Sequence, residues 1–262
     1  MDVKLGQIWE ETRGFVTREV ALLMPVGFAT FGLAAILLGL VAPVQTAEAA
    51  VQPGMWMLGL IPVLILMIAG YIAISRMALR PGLSVGEALG DTWKILPRTI
   101  AAAAVVMAIA AVILMVAGIV TGLLSVMFGL DARSALSLTV FASLPPLIWL
   151  SIRMLLLWPV MADRGGSVRQ MIVFAIQLTK GRGAQILLLL ALNFAAYLIL
   201  STVLQISAGS IILLGARALG APATGSMLIS VLMAGFNAAF LTVWTVFLAR
   251  YYRQAAQSSK GI

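Results

Sequence analysis

TIAAAAVVMAIAAVILMVAGIVTGLLSVMFGL, running from Thr99 to Leu130, is 32 residues without a single charge. The hydrocarbon core of a bilayer is about 30 Å thick, and about 20 apolar residues in a helix cross it. In lipid, backbone N–H and C=O groups find no water, and a helix satisfies them within the segment. The stretch therefore reads as a membrane-spanning helix with length to spare. Working outward, the same criteria pick out residues 20–42, 55–75, 136–162, 184–214 and 226–248. The fold class expected is an all-α membrane protein of six transmembrane helices in three hairpins. The third and fifth spans exceed the minimum, so tilt, bending or projection beyond the bilayer is expected of them.

Composition agrees. Of 262 residues, 62% are hydrophobic and 10% charged, with a mean hydropathy of +1.10, well beyond what a water-soluble core of this size requires. The first 19 residues mix Asp2, Glu10, Glu11 and Glu19 with bases. The apolar run that follows is a full span rather than a short signal core, so the first helix is expected to be retained. Cysteine and histidine are both absent. That removes disulfides, thiolate metal sites and the usual triads, and no metal or cofactor is expected. No pair of carboxylates falls inside a span to form a proton relay, and no Walker-type loop is present, so the chain does not read as an enzyme.

The bases set the orientation. Lys4, Arg13, Arg18, Arg76, Arg80, Lys94, Arg98, Arg164, Arg169, Lys180, Arg182, Arg250, Arg253 and Lys260 fall on the side of the N-terminus, and only Arg133 and Arg217 on the other. The positive-inside rule makes both termini cytoplasmic in a multi-pass inner-membrane protein. The net charge of +8 becomes a basic collar facing anionic lipid, with no need for nucleic acid as a partner.

Three segments that precede pairs of spans resemble one another. Leu5-Gly6-Gln7-Ile8-Trp9-Glu10-Glu11-Thr12 aligns with Val85-Gly86-Glu87-Ala88-Leu89-Gly90-Asp91-Thr92, and Ser84-Val85-Gly86-Glu87-Ala88-Leu89 with Ser167-Val168-Arg169-Gln170-Met171-Ile172. Apolar residues at three- and four-residue spacing make each an amphipathic helix expected on the cytoplasmic interface. The second is interrupted by Gly86, Gly90 and Pro97. Arg76, Arg153 and Arg250 occupy comparable places at the ends of the even-numbered spans. One membrane domain made of parallel repeats, 1–82, 83–165 and 166–262, follows.

Arg153 lies well inside an apolar run, where arginine needs a partner or a route to water. It reads either as an anion-binding side chain or as an anchor whose charged end reaches the headgroups. Arg13, Arg76, Lys94, Arg98, Lys180, Arg182 and Arg250 join it as candidate headgroup or anion contacts. Asn193, Gln205 and Asn237 are the intramembrane amides, suited to interhelical hydrogen bonds or to a cavity wall. Gly118-Ile119-Val120-Thr121-Gly122 has the spacing for close helix approach, and Pro145-Pro146 is the strongest expected kink.

Arg76-Met77-Ala78-Leu79, Ser84 to Leu89, Arg153 to Pro159 and Leu178-Thr179-Lys180-Gly181 resemble the bacterial membrane-domain family named after glycerophosphoryl diester phosphodiesterases, and the related YciC-like inner-membrane proteins. The resemblance covers the membrane region only. The catalytic barrel that accompanies it in some members has no counterpart here, so the resemblance implies an integral membrane role without phosphodiesterase activity. Three functions fit these readings: envelope organisation or lipid homeostasis through anionic-lipid contacts; a small transporter, channel or permease subunit; or a membrane-embedded subunit of a complex, which leaves room for a protein partner or a second copy.

Overall fold

The computed structural model describes residues 5–42 and 54–259; Lys4 and Lys260 of the basic set lie outside them. Among the described residues there is no strand. Six helical stretches are long and apolar enough to cross a membrane, as the sequence requires.

Helix α1, Leu5–Val41, carries two irregularities. Glu19 leaves helical geometry (φ −105°, ψ 15°), dividing the amphipathic start from the span, and Phe28–Gly32 widens into a π turn shortly after Pro25. Helix α2 is Leu60–Leu79, entered through a 3₁₀ turn at Met55–Gly59. Gly82, at φ +89°, turns the chain into α3, Val85–Phe128. Ser84 caps α3: its hydroxyl accepts from Glu87 N–H, and the Glu87 carboxylate accepts from Ser84 N–H at 3.0 Å. At 44 residues α3 is about 66 Å long, twice the hydrocarbon thickness. Gly129 ends it in the left-handed region at φ +63°, where a side chain would be strained.

Helix α4, Ala132–Met154, runs through Pro145-Pro146 as one continuous helical stretch. Helices in membranes tolerate proline when local adjustment satisfies the freed carbonyls. The break comes at Leu155-Leu156 instead, where Pro159 has no N–H to offer Leu155 C=O and its ring crowds that carbonyl. Helix α5, Leu157–Asp163, resumes beyond it. Helix α6, Val168–Thr179, starts on a second capping box, Ser167 with Gln170. Helix α7, Gly183–Ala218, contains a π turn at Gln205–Gly209, and α8 is Pro222–Ser259.

Helices α1, α2 and α8 pack on one another and form the centre, with α5 set against α2. Helix α3 and α7 are peripheral: the most apolar stretch of each is 11% buried, against 33–39% for the other spans. The close approaches in the centre depend on glycine. A Cβ on Gly70 would lie 2.5 Å from Thr30 Oγ1 and 2.8 Å from Phe31 Cε1, and one on Gly27 would collide with the Thr242 hydroxyl. Gly118 and Gly122 meet nothing within 4 Å, so the GxxxG spacing makes no helix contact here. The α3–α4 hairpin is tied instead by a hydroxyl pair, Thr121 with Thr139, at 2.5 Å.

The three segments bury part of their length in the protein and leave Trp9, Trp93 and Val173 exposed. Ile8, Thr12 and Phe15 of α1, Ala88, Thr92 and Leu96 of α3, and Met171, Ala175 and Leu178 of α6 are all buried. The second segment continues straight into its span despite Gly86, Gly90 and Pro97. Its apolar stripe has neighbours to pack on, which offsets the weak local propensity.

Candidate functional site

Side-chain contacts gather the helix ends at one end of the bundle. Arg76, in the last turn of α2, has its Nη1 2.6 Å from Asp91 Oδ2 on α3, and its Nε donates to Ala162 C=O of α5 at 3.2 Å. Lys94 Nζ meets the other Asp91 oxygen at 3.2 Å. Arg98 Nη1 donates to Gly166 C=O at 2.9 Å. Tyr252 of α8 donates its hydroxyl proton to Asp163 Oδ2 at 2.7 Å, and Gln254 reaches Glu11 of α1 at 3.4 Å. The starts of α1 and α3 and the ends of α2, α5 and α8 therefore share one layer, as alternating spans demand.

Arg76 and Arg98 thus each direct a donor at a backbone carbonyl, while Arg76 Nη1, ion-paired with Asp91, and Arg98 Nε are buried without a hydrogen bond. The side chain of Arg76 is 11% exposed, which suits a staple between helices. Arg250 is buried with its guanidinium 4.7 Å from the centre of the Phe15 ring, and Arg153 lies 5.5 Å from the Trp149 ring. Each keeps one buried nitrogen without a hydrogen-bond partner, Nε in Arg250 and Nη1 in Arg153. The three arginines that align in the sequence have three different surroundings. Arg13, Lys94 and Lys180 are exposed and Arg182 is half-buried. Arg164, absent from the sequence-derived candidates, covers the Phe174 ring at 3.8 Å and borders a small cavity of about 220 Å³ with Asp163, Tyr252 and Arg253.

The hydrogen bond from Lys94 and the nearby Arg76 guanidinium hold the Asp91 carboxyl below its ordinary range, against a smaller desolvation effect. Because the folded value is depressed, the stabilisation from this carboxylate is fully present above the unfolded value of about 3.9 and is lost as pH falls through the folded value. The difference in melting midpoint between wild type and Asp91→Asn is expected to be constant from neutral pH down to about pH 5, to begin shrinking near the unfolded value of about 3.9 and to vanish only below the lower folded value. A difference independent of pH would show that the carboxylate charge is not what matters. Hydrogen bonds from the Ser84 hydroxyl and backbone likewise lower Glu87.

Within the spans, Asn237 accepts a hydrogen bond from Tyr197 at 2.9 Å, joining α8 to α7 beside Phe236 and Phe240. Gln205 is exposed at the first position of the α7 π turn. Asn193 lines a groove between α7 and α8. A second crevice of about 410 Å³, which shares Trp244 with that groove, lies among α2, α3, α4, α5 and α8, with Tyr71, Ser151 and Trp158 also in its wall. Among the described residues no group of three or more acidic side chains is placed to hold a metal ion.

The architecture and its clustered helix ends are those of a multi-pass α-helical membrane protein, by length and composition of the six helices. Comparison with family models, with curated proteins and with solved structures finds no match.

Proposed function

We propose that this chain is a non-enzymatic inner-membrane protein that holds anionic lipid around a basic cytoplasmic rim and serves envelope organisation or lipid homeostasis. The observation that carries the reading is the distribution of exposed bases. Arg13, Arg18, Arg80, Lys94, Arg164, Arg169, Lys180 and Arg253 are exposed at the layered end, where they outnumber the exposed Glu10, Glu11, Glu87 and Asp163 two to one. At the opposite end, among the described residues, the exposed bases are Arg133 and Arg217. Bases near a membrane surface each attract anionic lipid by about 1 kcal/mol, and the same asymmetry supports a cytoplasmic location for that end.

The basic rim meets the headgroups in this reading, because Ile8, Phe15, Leu96, Met171 and Leu178 of the three segments are packed inside the protein. The parallel repeat belongs to the proposal as well. It is supported by the equivalent capping boxes at Ser84 and Ser167, which open the second and third units. The resemblance to the YciC-like membrane region supports an integral membrane role and nothing narrower. A transport pathway has less behind it, since the crevice among α2, α3, α4, α5 and α8 takes in none of Arg153, Asn193, Gln205 and Asn237.

Charge reversal of Arg13, Lys94 and Lys180 together is expected to lower the preference for phosphatidylglycerol over phosphatidylcholine at least about tenfold in reconstituted bilayers. Spin-labelled lipid competition measures it. An unchanged preference, or none in the wild type, would sink the rim as a lipid contact.

A further inference from the structure

Helix α7 packs closely on α8 through residues 210–218 and parts from it toward the basic end. The opening is a groove of about 440 Å³, a volume usual for a ligand site, with Trp9, Leu189, Asn193, Phe236, Phe240 and Trp244 in its wall. The wall is apolar apart from Asn193, whose side-chain amide has no hydrogen-bond partner among the described residues. An amide left unpaired in hydrocarbon is unfavourable, and an occupant that accepts its proton removes the penalty.

The charge at the foot of the groove says what kind of occupant this is. Arg182 caps the start of α7, seven residues before Leu189 and eleven before Asn193, at the end of the helix toward which the groove opens. It is close enough to Tyr251, one turn beyond Phe247 on α8, to act on that hydroxyl electrostatically. Helix α7, with 36 residues, is about 54 Å long, so when it is centred on a core about 30 Å thick about 12 Å projects at each side. Asn193 then falls about 3 Å inside the hydrocarbon boundary and the Arg182 backbone about 13 Å outside it, so that the long Arg182 side chain has to reach back to the headgroups. A glycerophospholipid has its groups in that order: a phosphate in the headgroup layer, ester carbonyls at the boundary, and an acyl chain below.

We infer that the α7–α8 groove binds one chain of a bilayer glycerophospholipid from the leaflet at the basic end, with Asn193 Nδ2 donating to an ester carbonyl and Arg182 facing the phosphate. The inference deepens the lipid-contact reading, since it rests on the same leaflet, but it uses a different part of the protein. It also gives Asn193 a role apart from Asn237, whose amide is already paired with Tyr197.

Trp244 in the groove wall supplies the probe. The full chain with Trp244 as its sole tryptophan is reconstituted in phosphatidylcholine bilayers containing phosphatidylglycerol brominated on its chains, either ester-linked or ether-linked. The ester lipid is expected to reach half-maximal quenching at about one third the mole fraction of the ether lipid, the ratio that one intramembrane hydrogen bond supplies. Asn193→Leu abolishes that ratio. Ala196→Phe, which fills the groove, weakens quenching by both lipids, and Arg182→Gln weakens both while leaving the ratio intact. In parallel, native mass spectrometry of the otherwise wild-type chain reads the loss of a retained phospholipid in Asn193→Leu, without altering any tryptophan.

Equal quenching by ester and ether lipid, or a ratio that survives Asn193→Leu, overturns the groove assignment. Trp244 shielded from every brominated lipid does the same, pointing to a protein segment as occupant. An ester preference without any preference for anionic over zwitterionic headgroups leaves the groove standing and removes the rim reading. The reverse pattern removes the groove alone.

Discussion

Gly70→Leu is expected to lower the melting midpoint in detergent by about 5–10 °C. Gly70 sits where α2 crosses α1, and even a Cβ there would lie 2.5 Å from Thr30 Oγ1 and 2.9 Å from Thr30 Cβ. The obstructing side chains have little freedom. Thr30 donates its hydroxyl to Val26 C=O at 2.7 Å, and Phe31 is 1% exposed and set against Tyr71 at 5.0 Å between ring centres. The helices must therefore separate, and overpacking of this kind costs about 1–3 kcal/mol or more. Gly118→Leu is the control, because nothing lies within 4 Å of a Cβ there, and its midpoint is expected to stay within about 1 °C of wild type. Equal effects at the two glycines would mean that the α1–α2 approach is not what holds the centre together.

The second large effect belongs to Arg76→Ala, with an expected fall of about 5 °C. The replacement leaves Asp91 with Lys94 alone and Ala162 C=O without its donor. Arg76→Lys keeps the charge but not the fork that reaches two acceptors, and should fall between wild type and alanine. A double-mutant cycle with Asp91→Asn separates the parts. Arg76→Ala should cost less in the Asp91→Asn background than in the wild type, and the cost that remains belongs to the Ala162 carbonyl. Strict additivity would show that the guanidinium and the carboxylate are not coupled.

The six spans were legible because lipid imposes a long uncharged run on every crossing helix, and nothing in the sequence competes with that signal. The basic end was legible for a similar reason, since charge cannot remain in hydrocarbon. Helix breaks were less so. Pro145-Pro146 and Pro159 look alike as local interruptions, yet only the chain around Pro159 departs from the helix. Gly118 and Gly122 have the spacing for close approach but no neighbour within 4 Å of a Cβ, because spacing reports a face without reporting what lies against it. Arg76, Arg153 and Arg250 aligned in the sequence, but Asp91, Trp149 and Phe15 differ as surroundings, and the Asp91 pairing is settled only when α3 lies beside α2. Arg164 was passed over among many bases, since only the fold brings Phe174 beneath it. The Asn193 groove had no sequence signal beyond an amide in an apolar run, because the opening arises from the way α7 and α8 diverge.

The two contacts of Arg76 also impose an order of events on a growing chain. Its carboxylate partner follows it by 15 residues, but the carbonyl it caps belongs to Ala162, 86 residues later. At synthesis rates of about 5–20 residues per second, the second partner emerges roughly 4–17 s after Arg76 itself. During that interval the arginine has Asp91 and water or headgroups, and the first hairpin is tethered to the start of α3 only. The arrival of α5 replaces those temporary neighbours with a helix terminus, so one guanidinium records that the second hairpin has been completed.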